Sequence, residues 1–93
     1  METPASVDAF DDAGEPGGPL FPSYQAIATA LSRELPEGAT VVDVCCGSGR
    51  LLRRLLTGRP DVRGIGVDLS TTMLERAAAR LAAEGLAERV ELV

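Results

Sequence analysis

The sequence predicts an α/β fold, a truncated parallel sheet of three strands in the order 3-2-1 with helices flanking it. Three observations carry that prediction. A run rich in β-branched residues, Thr40 to Val44, climbs into the glycine-paired turn Gly47 Ser48 Gly49, and a leucine-rich helical pattern opens at once at Arg50. A second strand over 62–67 delivers a carboxylate, Asp68, to its carboxyl end, 21 residues after Gly47. Last, Val90 Glu91 Leu92 Val93 begins a third strand after a long amphipathic stretch, so strand and helix alternate.

Taken in order, residues 1–22 read as an acidic tail. Pro4, Pro16, Pro19 and Pro22 and the Gly17 Gly18 pair break regular structure, and the stretch has little apolar surface to bury, so disorder is expected there. Phe10 and Phe21 are the exceptions, either of them suited to docking on a substrate lid or on the domain, which is expected over 23–93. Ser23 reads as the N-cap of a first helix whose Tyr24, Ile27, Ala28, Leu31 and Leu35 share one face. Pro36 and Gly38 stop it. After the central strand, Leu51, Leu52, Leu55 and Leu56 form the apolar stripe of a second helix, with Arg50, Arg53 and Arg54 largely facing water, Arg50 being the one placed to contact a ligand because it opens the helix, and Gly58 and Pro60 ending it. The second strand is interrupted by Gly64 and Gly66. Ser70 then opens the longest helix, with Leu74, Ala77, Ala78, Leu81 and Ala82 on its apolar face and Arg76, Arg80 and Glu84 elsewhere, and Gly85 closes it.

Ninety-three residues allow one small core. The net charge of −5 is carried by Glu2, Asp8, Asp11, Asp12 and Glu15, all before Ser23, which leaves the remainder neutral with nine acids against nine arginines. A neutral module without a basic stripe gives no electrostatic reason to expect nucleic acid or an anionic membrane as partner. No apolar run is long enough to span a bilayer and no signal peptide opens the chain, so a cytoplasmic location is expected. Histidine and lysine are absent, which excludes histidine triads, histidine metal sites and lysine Schiff bases within these residues. Cys45 and Cys46 are adjacent, too few for a zinc site, and read as small apolar packing residues; no metal is expected.

Asp43 refines the site. Lying four residues before Gly47, its carboxylate stands beside whatever the glycine turn cradles, where it repels a pyrophosphate and welcomes a ligand with a positive centre. At the tip of the second strand, Asp68 has the spacing at which a carboxylate accepts hydrogen bonds from both hydroxyls of a ribose; the competing role is to cap the following helix, which Ser70 already fills. Leu69 and Met73 are the apolar residues nearest the same end and suit an adenine ring, with the core as the alternative place for Met73.

The run Val41 to Gly49, followed by Gly66 Val67 Asp68 Leu69 Ser70, resembles the class I S-adenosylmethionine-dependent methyltransferases, whose first motif is an acidic residue followed by three glycines at alternate positions. Asp43, Gly47 and Gly49 match the acid and the last two glycines. Cys45 stands where the first glycine is usual, a substitution the turn accepts without adjustment only if that position does not need a positive φ. The resemblance implies a Rossmann-like three-layer sandwich of which this chain covers the cofactor half. It implies S-adenosyl-L-methionine as cofactor, bound by Asp43 at its methionine end, by the Cys45, Gly47, Ser48 and Gly49 turn, and by Asp68 at the ribose, with Leu69 and Met73 at the adenine; Tyr24 is a candidate to line the site, with a core anchor of the first helix as the favoured alternative. The acceptor is expected to be a small molecule, and no catalytic base is assigned. In the family the first strand is central, so here its far edge is expected to be open, with a partner chain able to complete the sheet. Two alternatives stand beside this reading. A nicotinamide or flavin dinucleotide-binding fragment predicts a third glycine where Leu52 lies and leaves Asp43 unexplained. A non-catalytic interaction module would use the open edge to pair with its partner.

Overall fold

The computed structural model describes residue 18 and residues 21–93, and the expectations for the tail and for Phe10 fall outside the described residues. Helix α1 spans Phe21–Glu34, strand β1 Thr40–Val44, helix α2 Arg50–Gly58, strand β2 Arg63–Val67, helix α3 Thr71–Ala83 and strand β3 Val90–Leu92, the last preceded by a short 3-10 turn at Ala87–Arg89. The strands are parallel and ordered β1-β2-β3, the expected topology read from the other edge. Val41 pairs with Gly64 and Asp43 with Gly66, and Gly64 and Gly66 in turn pair with Val90 and Leu92.

One core joins sheet and helices. Leu52, Leu55 and Leu56 of α2 meet Val62, Leu81 and Leu86, with Leu31, Leu35, Val41, Val90 and Leu92 packed around them. Gly64 and Gly66, which weaken a strand by propensity, are what let α2 come this close. A Cβ on Gly64 would stand 2.9 Å from a Leu52 methyl, and one on Gly66 would stand 2.9 Å from both the Cys46 sulfur and a Leu92 methyl. No described element covers the other face of the sheet, where Val42, Val44 and Val93 are 57%, 69% and 61% exposed. The described residues therefore hold two layers of the expected sandwich, one of helices and the sheet.

The helix ends explain themselves. Pro22 sits in the first turn of α1, where its fixed φ suits a helix and its missing N–H would have had no partner, so the helix starts ahead of Ser23, which is not its cap. At the far end of α1, Arg59 donates to the carbonyls of Ser32, Leu35 and Pro36 while its Nε and Nη2 pair with the two oxygens of Asp61 at 2.9 and 2.8 Å. Asp61 also accepts from the Gly38 N–H, and these bonds, Arg59 first, hold its carboxyl below the usual range. Helix α2 stops at an extended Arg59 with Gly58 still helical, and Arg89 reaches back to the carbonyls of Leu56, Arg59 and Val62. In α3 the Ser70 hydroxyl accepts from the Met73 N–H at 3.0 Å, the expected cap. Its other end is a Schellman turn, with left-handed Gly85 donating to Ala82 O, Leu86 donating to Leu81 O, and Leu86 packed with Leu81 in the core. The buried stripe of α3 is Met73, Ala77 and Leu81; Ala78 and Ala82 are exposed, contrary to expectation, because α3 is rotated to lay Ala77 on the glycine loop.

Candidate cofactor site

The loop from Cys45 to Gly49 leaves β1 as a series of left-handed steps. Cys45, Gly47 and Gly49 have φ of 61°, 58° and 80°. The position of Cys45 thus does require a positive φ, which costs a side-chain-bearing residue about 1–2 kcal/mol over the right-handed alternative. Cys45 accepts that conformation with its side chain exposed, whereas Cys46 is buried and its thiol points at the Gly47 carbonyl, 3.6 Å away. Burial, reinforced by the charges of Asp43 and Asp68, pushes the Cys46 thiol up to about 11, which keeps it protonated and agrees with a packing role.

Two strand ends bring the two carboxylates together. Asp43 is half-buried on the helix-side face of β1, beside Gly66 in register. Desolvation, and then the charge of Asp68, raise its pKa above the ordinary carboxylate value. Asp68 lies just past β2, and its carboxylate ties the two loops to each other: Oδ2 accepts from the Gly47 N–H at 2.9 Å and Oδ1 from the Ser70 N–H at 2.8 Å. The Asp68 N–H donates to Val93 O, so the carboxylate is anchored through its own backbone as well. Each oxygen of a carboxylate has two lone pairs, so both can still accept a hydroxyl. The result is a concentration of negative charge, one carboxylate strained by burial and then by its neighbour's charge, next to a loop of left-handed backbone.

Of the other residues expected at the site, Ser48 is buried with its carbonyl turned toward α3, and Gly49 is pressed against that helix, where a Cβ would come within 3.1 Å of Ala77. Leu69 stands fully exposed beyond Asp68, free to meet a ligand. Met73 is 7% exposed and belongs mainly to the interior. Tyr24 is half-buried on α1. Arg80 was not among the expected residues. From α3 its Nη1 donates to Ser48 O at 2.7 Å, holding the loop from behind. No local signal marks it, because the bond joins residues 32 apart and the helical periodicity places Arg80 off the apolar face. Leu52, in the place of a third dinucleotide glycine, is completely buried in the core, so the backbone there offers no close approach to a pyrophosphate. Among the described residues no cluster of three or more metal-binding side chains occurs, and no helix is long and apolar enough to cross a membrane.

A family model described as a methyltransferase domain matches residues 41–93. The ribosomal RNA small subunit methyltransferase H of Mycolicibacterium gilvum is 38% identical over 91 residues, which is 98% of this chain and 23% of that protein. The release factor glutamine methyltransferase of Mycobacterium leprae is 43% identical over 67 residues, 71% of this chain and 23% of its own length. Among solved structures, a SAM-dependent methyltransferase from Thiobacillus denitrificans in complex with S-adenosyl-L-homocysteine superposes with a TM-score of 0.73 at 31% identity, covering all of this chain and 37% of that one. The chain thus spans about a quarter of the length of these two sequence relatives.

Proposed function

The chain belongs to the class I S-adenosylmethionine-dependent methyltransferase family, and from that premise we propose that residues 23–93 are the cofactor-binding half of an enzyme that transfers a methyl group from S-adenosylmethionine. The observation that carries this reading is the pair of carboxylates, Asp43 and Asp68, at adjacent strand ends around the left-handed glycine loop. The charge suits a cation and disfavours a pyrophosphate, and the glycines suit close backbone approach.

When bound, the cofactor supplies an electrophilic methyl group on a sulfonium. The chain's own residues do the positioning. Asp43 orients the methionine end through its ammonium group, and that positive charge relieves the repulsion Asp43 feels from Asp68. Asp68 accepts the ribose hydroxyls while its bonds to the Gly47 and Ser70 N–H groups keep its plane fixed. Cys45, Gly47, Ser48 and Gly49 shape the backbone wall, Leu69 supplies an apolar surface to the adenine, and Met73 supports it from the interior. None of the described residues is assigned as a general base.

The acceptor in this reading is a small molecule, because the domain is neutral and carries as many acids as arginines. The named relatives methylate ribosomal RNA and a release factor, so an acceptor panel has to include RNA and protein beside small molecules. The direct test of the site is titration of the natural protein with S-adenosylhomocysteine. Asp68→Ala is expected to weaken binding by about tenfold or more, since hydrogen bonds to a charged group contribute roughly 1.5–3 kcal/mol. Unchanged affinity in a folded variant removes Asp68 from the site.

A further inference from the structure

The backbone of the glycine loop is held at successive peptides. The Cys46 N–H donates to Val67 O at 3.0 Å and the Gly47 N–H to the Asp68 carboxylate at 2.9 Å, both at the end of β2. The Gly49 N–H donates to Cys46 O at 3.1 Å and closes the loop on itself. A further bond comes from α3, where Arg80 Nη1 donates to Ser48 O at 2.7 Å. We propose that Arg80 is a positioning residue for the cofactor, holding the Ser48–Gly49 peptide in the orientation in which S-adenosylmethionine meets the loop. The inference rests on the cofactor reading above and deepens it.

Peptide planarity makes this one bond control two groups. The carbonyl of Ser48 and the N–H of Gly49 belong to one trans peptide and point in opposite directions, so a donor on the carbonyl also keeps the N–H aimed at Cys46 O. Gly49 itself supplies no such control. It is the N-cap of α2 with no side chain to cap with, and its φ of 80° crosses to the negative side at little cost because it carries no Cβ. A reversed peptide would turn the Ser48 carbonyl away from α3, part the Gly49 N–H from Cys46 O and reshape the wall that the ligand approaches. Arg80 is also poorly placed to support the fold in general. It lies off the buried stripe of α3, which is Met73, Ala77 and Leu81, and outside the leucine core, and it reaches back 32 residues to the loop. Electrostatics alone predict the opposite effect, since a guanidinium repels a sulfonium and its removal would tighten S-adenosylmethionine binding.

The test compares the natural protein with Arg80→Met and Arg80→Lys by calorimetric titration with S-adenosylhomocysteine and with S-adenosylmethionine. Arg80→Met keeps an apolar stem and loses the donor, and is expected to bind both ligands about tenfold more weakly. Arg80→Lys keeps a charged donor and is expected to recover most of that loss. In Arg80→Met the Gly49 amide is expected to exchange with solvent about tenfold faster, with the amides of β1 and β2 unchanged. A residue that only stabilises the fold behaves differently: its loss lowers the urea midpoint and leaves both affinities and the Gly49 amide as they were in the folded protein. The proposal is overturned by an Arg80→Met protein that binds as tightly as the natural one, by one that binds S-adenosylmethionine more tightly, or by an Arg80→Lys protein that recovers nothing. Those results leave the cofactor reading standing. A natural protein that binds neither ligand removes that reading, and the role of Arg80 with it.

Discussion

Asp43 and Cys45 are both held in states that the folded chain alone does not favour. Cys45 adopts a φ of 61° with its side chain exposed, so nothing packed is lost on removing it. Cys45→Gly is expected to raise stability by about 0.5–1 kcal/mol, the left-handed penalty less the entropy glycine carries in the unfolded chain, read as a higher urea midpoint. Asp43 has its pKa raised by burial and by Asp68. A raised carboxylate contributes stability that is fully present below its unfolded value and is lost as pH rises through the folded one, so ionised Asp43 destabilises the domain at neutral pH. Asp43→Asn is expected to be the more stable protein at pH 7, to lose the decline in stability above the ordinary carboxylate range, and to bind S-adenosylmethionine less tightly. Urea titrations across pH 4–8 and a binding isotherm check the three together; a variant that is less stable and binds equally well refutes the role. Both acids were legible from sequence because spacing along a strand–turn–helix unit fixes where they emerge. Arg80 was not, since its bond to Ser48 O exists only once α3 is laid against the loop.

The unusual element is β2, two of whose five residues are glycine. As propensity those glycines read as interruptions; in the fold they are the floor on which Leu52 and Leu92 rest. Gly66→Ala forces a methyl to within 2.9 Å of the Cys46 sulfur and of Leu92, and within 3.1 Å of Leu52. It is expected to cost about 1–3 kcal/mol of overpacking. Gly64→Ala meets a single Leu52 methyl at that distance and is expected to cost less, a ranking that paired denaturant melts decide. The reverse ranking would show that α2 is free to withdraw from the sheet. The same closeness explains why α2 has leucine where dinucleotide-binding helices have a third glycine: the room is made on the strand instead of on the helix. Arginine supplies the other unforeseen device. Arg59 and Arg89 satisfy the last carbonyls of α1 and α2, where the expected glycine stop, Gly58, remains helical.

At the scale of the whole molecule, helices cover one face of the sheet, and among the described residues Val42, Val44 and Val93 are exposed on the other. Among the described residues β1 has a neighbour on one side only. An apolar face beside an unpaired strand edge is a template for association, so a chain of these 93 residues by itself is expected to self-associate. Val42→Lys is expected to shift it toward monomer in sedimentation velocity, and a wild-type chain that stays monomeric at high concentration would count against this reading. The order of elements, the parallel sheet, the place of the loop and the two acids beside it were determined by the sequence itself, because each depends on the period of apolar residues and on distances counted along the chain. The left-handed Cys45, the close seating of α2 on Gly64 and Gly66, the rotation of α3 that exposes Ala78 and Ala82, and the clamp of Arg80 on the loop were decided by the tertiary structure. They depend on which surfaces meet across 20 or more residues, and one-dimensional periodicity carries no record of that.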